Sequence, residues 1–225
     1  MMIGNAQILT CPFCGKEKEI MSLLSGNTFD AELWSDTKSI APMLPEISYV
    51  QKCPHCGKYY IMSRQKVKFS KEESTDMGIL TFPEMKEAFE QFSKPQQSRH
   101  RGMLHRIKEF FKQPYIFGFK DSEEEAKVRM MLHQAYNDYY YRNNDNKTIN
   151  EDDKALFHKN ALWLINYTTD NVLRAELNRE IGEFKTAQDI LDSVVIDNDF
   201  IAEIVMSIRE RIEMKDSIVF KINHK

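Results

Sequence analysis

The sequence lacks the short motifs that mark the common catalytic sites. It contains only eight glycines, and it has no phosphate-cradling glycine-rich loop, no nucleophile elbow and no His-Glu-x-x-His run. No apolar run approaches the roughly 18–20 residues needed to cross a bilayer. Residues 1–10 lack the charged start and long apolar stretch of a signal peptide. We therefore predict no catalytic residues, no small-molecule substrate and no membrane partner.

Excess charge of one sign is also missing. The formal net charge is −3, with 16 Lys and Arg against 13 Asp and Glu in residues 1–112, and 15 against 21 in residues 113–225. Neither half is basic enough to imply nucleic-acid binding from charge alone. A length of 225 residues and an apolar content of 42% are ordinary for one large globular domain or two modest ones.

The four cysteines form two matched pairs. Cys11-Pro-Phe-Cys14-Gly-Lys and Cys53-Pro-His-Cys56-Gly-Lys can each form a tight turn that points two sulfurs at one metal. Four thiolates are the ligand set of closed structural zinc sites, so we predict that these four cysteines hold one structural Zn²⁺. The 38 intervening residues exceed the usual spacing, but doubling a loop costs only about 0.6 kcal/mol, whereas zinc supplies about 10–16 kcal/mol.

Redox chemistry is the main alternative for these cysteines. Cys53-Pro-His-Cys56 matches the active-site tetrapeptide of DsbA-type thiol oxidases, in which the motif follows a strand and opens a helix. Here residues 57–61 have the pattern of a turn followed by a strand, and a second equivalent pair would have no redox role. A closed zinc site is therefore favoured over redox chemistry. It is also favoured over a catalytic zinc site, because catalytic zinc needs an open coordination position. Paired cysteines without a secretory signal favour a cytoplasmic protein.

The patterns along the chain predict an α+β protein in three parts. Residues 1–70 form a small β zinc-ribbon module, residues 71–120 a linker with one or two helices, and residues 121–225 an all-α domain. In the first part, the alternation within Thr28–Trp34 predicts a half-buried strand. We expect the segment between the cysteine pairs to pack over the metal site through Phe29, Trp34, Met43 and Leu44.

Helical periodicity dominates the last hundred residues. Ser122 and Glu125 fit a capping box. The predicted helices cover about 122–141, 152–167, 170–182, 186–195 and 201–212, and the alternation of Ile218, Phe220 and Ile222 indicates a terminal strand.

The helix pair within Leu173–Leu191 resembles a tetratricopeptide repeat. The match lies in Ala175, Gly182, Phe184, Ala187 and Leu191, and small residues at positions 175 and 187 let two helices approach closely. One such unit is recognisable, whereas a stable array needs about three.

The whole chain resembles a bacterial protein family with no established activity, in which a double Cys-x-x-Cys module precedes helices like those of tetratricopeptide repeats. The resemblance lies in the cysteine motifs, Leu33–Asp36, Arg129–Asp138 and Ala175–Leu191. It implies a zinc site and a helical, repeat-like domain.

These observations favour a non-enzymatic adaptor that binds a protein or peptide through its helical domain. The alternatives are a ribbon that binds nucleic acid through Arg99–Lys112 with Arg64, Lys66 and Lys68, and a thiol-disulfide enzyme that uses Cys53 and Cys56. The tyrosines within 136–141 fit either a peptide groove or packing between helices, and packing is favoured.

Overall fold

The computed structural model describes residues 2–41, 44, 48–62, 68–69, 96–113, 118–142 and 147–223. The chain divides into two compact units. The first unit comprises Met1–Asp30 and Ala41–Ile116, and the second comprises Ala31–Ile40 and Phe117–Lys225. The boundaries predicted near residues 70 and 120 fall in or beside undescribed residues and stay a prediction.

Short antiparallel strands build the described part of the first unit. The strands are β1 (Met2–Thr10), β2 (Glu17–Ser25), β5 (Val50–Lys52), β6 (Tyr59–Ile61) and β7 (Lys68–Phe69). They form a three-stranded sheet with the order β2-β1-β7 and a separate β5-β6 hairpin. Each cysteine pair therefore lies at the turn of one hairpin, between β1 and β2 or between β5 and β6.

Helix α1 (Gln96–Lys112) packs on the β5-β6 hairpin. Its buried side chains are Leu104, Ile107 and Phe110, at the spacing of one helical face. Beyond its last turn, the Gln113 side chain accepts a hydrogen bond from the Tyr59 amide at 3.0 Å and donates one to the Tyr59 carbonyl at 3.3 Å. The part of the predicted linker before α1, residues 71–95, lies outside the described residues.

The second unit contains the remaining helices. They are α2 (Ser122–Tyr140), α3 (Glu151–Tyr167), α4 (Asn171–Glu180), α5 (Phe184–Leu191) and α6 (Asp199–Glu213). The chain is thus α+β overall, as predicted. Among the described residues, no helix is both long enough and apolar enough to cross a membrane.

Asparagine and aspartate side chains begin most of these helices. Asp121, Asn150, Asp170 and Asn198 each accept a backbone N–H of the first turn. The predicted capping box is one residue out of register, because Asp121 rather than Ser122 is the N-cap and Glu124 rather than Glu125 reaches back, to the Lys120 amide at 2.7 Å. An aspartate carboxylate accepts hydrogen bonds more strongly than a hydroxyl does.

The α4–α5 pair turns at Gly182, which has a φ of 86°. Ala175 and Ala187 are both fully buried where the two helices meet, as their small size predicts. They belong to a core that also contains Leu191 and Ile208. A tetratricopeptide-repeat fold as such stays a prediction.

A small sheet completes the second unit. Strands β3 (Glu32–Trp34), β4 (Ser39–Ile40) and β8 (Lys221–Ile222) pair antiparallel in the order β4-β3-β8, and the predicted terminal strand is therefore present. The strand predicted over Thr28–Trp34 is shorter than expected, because Asp30 adopts a left-handed φ of 57° that breaks the extended backbone. The predicted alternation places Phe29 on the buried face of this strand, but its side chain is 76% exposed.

Trp34 packs within the second unit. Its ring stacks under the Arg142 guanidinium, with 4.6 Å between Cζ and the ring centroid. The segment between the cysteine pairs thus contributes residues 31–40 to the second unit, and the expected packing over the metal site stays a prediction.

Eight buried ionisable side chains form a continuous group in the second unit, here called the buried ionic cluster. Its members are Asp36, Lys38, His133, Asp138, Arg142, Glu176, Arg179 and Glu180, each at most 9% exposed. Ion pairs join them in three sets, among them Arg142 with Asp36 at 2.5 Å and His133 with Glu180 at 2.9 Å. Asn137 Nδ2 links two of the sets, because it donates to both Asp36 and Glu180. Four carboxylates face three permanent cations, so the cluster is electrically neutral only when it holds one further proton.

His133 is the natural position for that proton. Burial by itself lowers the pKa of His133, but Glu180, together with Asp36 and Glu176, raises it above its usual value. Burial also raises the pKa of Glu176 to about 7. A buried net charge is costly in a low-dielectric interior. The excess of one carboxylate over the permanent cations therefore favours binding of one proton by the cluster.

The raised pKa of His133 predicts a pH-dependent contribution to stability. The contribution is complete below the unfolded-state pKa of about 6.5 and is lost as the pH rises through the folded-state value. In urea unfolding, the unfolding free energy of wild type should therefore exceed that of His133→Asn most at pH 6. The difference should shrink towards alkaline pH. His158→Asn, at an exposed position of α3, should leave a constant, near-zero gap. A pH-independent deficit in His133→Asn would contradict a charged His133.

Candidate metal centre

The two cysteine pairs have the same backbone geometry. In each six-residue turn, here called a knuckle, the first cysteine N–H donates to the lysine carbonyl five residues later, from Cys11 to Lys16 and from Cys53 to Lys58, both at 2.8 Å. The glycine N–H returns to the first cysteine carbonyl at 2.9 Å in one knuckle and 3.0 Å in the other. The shared Cys-Pro-x-Cys-Gly-Lys sequence thus forms the same turn twice.

The knuckles depend on their glycines. Gly15 and Gly57 have φ values of 68° and 72°, in the left-handed region that residues with a Cβ avoid. No heavy atom lies within 4 Å of a Cβ built at either position. The requirement for glycine is therefore conformational and not steric.

The four sulfurs converge on one point. All four Sγ atoms lie within 4.8 Å of one another. The separations Cys11 Sγ–Cys56 Sγ and Cys14 Sγ–Cys53 Sγ are both 3.7 Å. A tetrahedral centre with metal–sulfur bonds of about 2.3 Å has sulfur–sulfur edges of about 3.8 Å. The site therefore has the donors and the spacing to bind one metal ion.

Burial differs within each pair. Cys11 and Cys53 are buried, and Cys14 and Cys56 are exposed. The buried cysteines pack with Leu9 and Tyr60 in a small apolar core, against which Phe13, Ile20 and Met62 are partly buried. One side of the site is thus covered by the hairpins that carry it.

The surroundings separate the pKa values of the two buried thiols. Burial raises the pKa of Cys53, but hydrogen bonds from the Cys56 and His55 backbone amides outweigh it and lower the pKa to about 6. Burial raises the pKa of Cys11 to about 12. Metal binding needs four thiolates, so a binding metal must displace the protons that the thiols hold in the metal-free protein.

The second knuckle also bears on the alternatives to a closed zinc site. His55 is exposed at the turn of this knuckle. Strand β6 begins three residues after Cys56, whereas the thiol-oxidase motif opens a helix. Among the described residues, the four cysteines are the only group of three or more His, Cys, Asp or Glu side chains close enough to share a metal.

The tyrosines near position 140 serve mainly in packing. Tyr136 and Tyr140 are buried, and their hydroxyls donate to Asp153 at 3.5 and 2.6 Å. Tyr136 also contacts Phe157 edge to face. The packing interpretation is confirmed for these two residues.

No protein-family model, curated protein or solved structure matches the chain. The resemblances to the bacterial family and to a tetratricopeptide repeat accordingly stay predictions.

Substitution of a knuckle glycine should weaken both fold and metal binding. Gly57→Ala forces an L-residue into the left-handed region, and we expect it to cost about 1–2 kcal/mol of unfolding free energy. Gly102→Ala is the matched control, because Gly102 lies in α1 with open space around its Cβ and a helical glycine-to-alanine change gains up to about 1 kcal/mol. Urea unfolding together with competition against a chromophoric chelator measures both effects. If the two substitutions change the unfolding free energy in the same direction, the argument from backbone conformation is contradicted.

Proposed function

We propose that this chain is a zinc-binding, non-enzymatic adaptor whose helical unit binds a protein or peptide. The convergence of the four cysteine Sγ atoms supports the metal part of the proposal most directly. Thiolates suit zinc and iron alike, and zinc is proposed because four thiolates and no open position are typical of its structural sites.

The proposed role of the metal is to hold two hairpins together. Strands β5 and β6 have only three residues each, and an isolated short hairpin is at best marginally stable in water. A metal bound by Cys11, Cys14, Cys53 and Cys56 would cross-link the β1-β2 and β5-β6 hairpins at their turns.

An exposed apolar segment supports the adaptor part. Val195 is 85% exposed and Ile196 is 50% exposed. They lie beside a groove of about 340 Å³ lined by Asp170, Val172, Val194, Asp197 and Ile201. Exposed apolar side chains beside a partly polar groove are typical of peptide-binding surfaces.

One observation favours nucleic-acid binding as a second candidate. Arg101, His105, Lys108 and Lys112 recur at the i, i+4, i+7 and i+11 positions of α1, along one stripe beside the face that carries the buried Leu104, Ile107 and Phe110. A basic helical face of this kind suits phosphate contacts. Of the other residues predicted for this role, Arg64 and Lys66 lie outside the described part of the chain, and the side chains of Lys68 and Arg99 are not described.

Native mass spectrometry of untagged protein, purified from its host without chelator or reductant, tests the leading proposal. We expect one zinc per chain, four reduced thiols and a co-purifying polypeptide. If a different metal is found, that metal takes the place of zinc in the proposal, and the four-thiolate site stands. A metal-free chain with disulfides would overturn the metal proposal, and a chain recovered alone would remove support for the adaptor.

Charge reversal on α1 tests the second candidate. If α1 contacts phosphates, Arg101→Glu with Lys112→Glu should weaken binding to a single-stranded oligonucleotide. The slope of log K against log[salt] should also become shallower by about 1.4–1.8, since each contact contributes about 0.7–0.9. The control carries the same reversals at Lys154 and Lys159, on the exposed face of α3. Equal losses in the two double variants, or no binding by wild type at low salt, would rule out this face.

A further inference from the structure

We infer that residues 31–40, here called the strap, are a releasable internal ligand of the second unit, and that α2 and the residues just beyond it form a receptor for an acidic turn. The inference goes beyond the proposed function, and it depends neither on a metal nor on the groove beside Val195.

The receptor recognises the carboxylate at the tip of the strap. Asp36 is fully buried, and its Oδ2 accepts hydrogen bonds from Arg142 Nη2 at 2.5 Å and Asn137 Nδ2 at 3.0 Å. The Asp36 backbone carbonyl accepts a third from Gln134 Nε2 at 3.1 Å. Three donors on α2 and just beyond its C-terminus thus bind one residue of the strap.

The receptor also recognises the residues on either side of Asp36. Lys38 Nζ lies 2.5 Å from Asp138 Oδ2, and the other oxygen of Asp138 accepts from Arg142 Nε at 2.7 Å. On the opposite side, Trp34 stacks under the Arg142 guanidinium. The pattern that the receptor selects is therefore Trp-x-Asp-x-Lys, with the carboxylate at its centre.

These contacts give specificity more than affinity. Of the ten strap residues, only Ser35, Asp36 and Lys38 are buried, and all three are polar. The pairing of β3 is short, with two register pairs to β4 and two to β8. Removing charged partners from water offsets much of their mutual attraction, so the partly buried Leu33, Trp34 and Ile40 supply the apolar burial of the strap and the ion pairs supply its specificity.

The fit between strap and receptor is also incomplete. Four buried polar atoms in or beside the receptor have no hydrogen-bond partner: His133 Nδ1, Asn137 Oδ1, Arg142 Nη1 and Glu180 Oε1. Such atoms carry a desolvation cost that solvation would relieve on release. Within the strap, Thr37 has a left-handed φ of 65°, which is strained for a β-branched residue. Both features favour reversible opening.

The arrangement makes the strap an intramolecular competitor. While it is bound, the Arg142–Asn137 carboxylate site is closed to external segments. Once it is released, the same site accepts a turn that carries an aspartate two residues before a lysine, and the chain's own segment is the reference ligand.

Hydrogen exchange on the full-length wild-type protein tests the release step. Ser35 N–H donates to the Phe220 carbonyl, and Phe220 N–H donates to Ser35 Oγ, so both hydrogen bonds break when the strap is released. Both amides should exchange through local opening, at least tenfold faster than amides of α4. If they exchange only with the whole unit, at the rate of α4, the strap is ordinary core and the inference fails.

A synthetic peptide of residues 31–40 tests the receptor. Asp36→Asn in the full chain should loosen the strap, so that the fluorescent wild-type peptide binds this variant at least tenfold more tightly than it binds wild type. Glu32→Gln is the matched control, because Glu32 lies in the same strap in an exposed ion pair with Lys221, and it should bind like wild type. The peptide that carries Asp36→Asn should bind none of the proteins.

Each outcome decides the inference. A folded Asp36→Asn protein that does not bind the peptide overturns it. Strap exchange between two copies, detected as a concentration-dependent dimer, supports it, since a second copy then fills the same receptor. If Asp36→Asn does not fold, hydrogen exchange on wild type decides. Metal content is measured in parallel, so failure here is distinguishable from failure of the metal proposal.

Discussion

The second unit depends most on the contacts that the Arg142 guanidinium makes. It is 1% exposed at its side chain, pairs with Asp36 and Asp138, and covers the Trp34 ring. Asp36 and Trp34 lie in the strap, whereas Asp138 and Arg142 lie on or just after α2, so one cation joins segments a hundred residues apart. Removal of one partner would leave a buried, uncompensated charge, which is far more costly than the intact pair is stabilising.

The first unit relies on a different device. Its described apolar core is small, and only Leu9, Cys11, Cys53 and Tyr60 are buried around the site. Two glycine-dependent knuckles bring four sulfurs together instead. Convergent thiolates thus organise the first unit, whereas the second unit combines an apolar core with the buried ionic cluster.

Local signals in the sequence predicted what is local in the structure. The repeated Cys-Pro-x-Cys-Gly motif encodes the knuckles, and the 3.6-residue period locates most helices of the second unit. The buried ionic cluster gave no such signal, because Asp36 has the pattern of a turn aspartate and His133 and Glu180 resemble ordinary polar positions on helices. Their pairing depends on contacts 47 to 106 residues apart. Phe29 was misassigned because period-2 alternation does not detect a left-handed residue next to it.

The order of elements in the chain also constrains how the molecule forms during synthesis. Strand β3 pairs with β8 through Leu33 and Ile222, so the inner strand of its sheet leaves the ribosome long before its last partner exists. At about 5–20 residues per second, that interval is roughly 10–40 s. Both cysteine pairs are made well before that interval ends, and the knuckles can close while the strap still lacks part of its binding site. The nascent chain must therefore keep Leu33 without its β8 partner until Ile222 has been made.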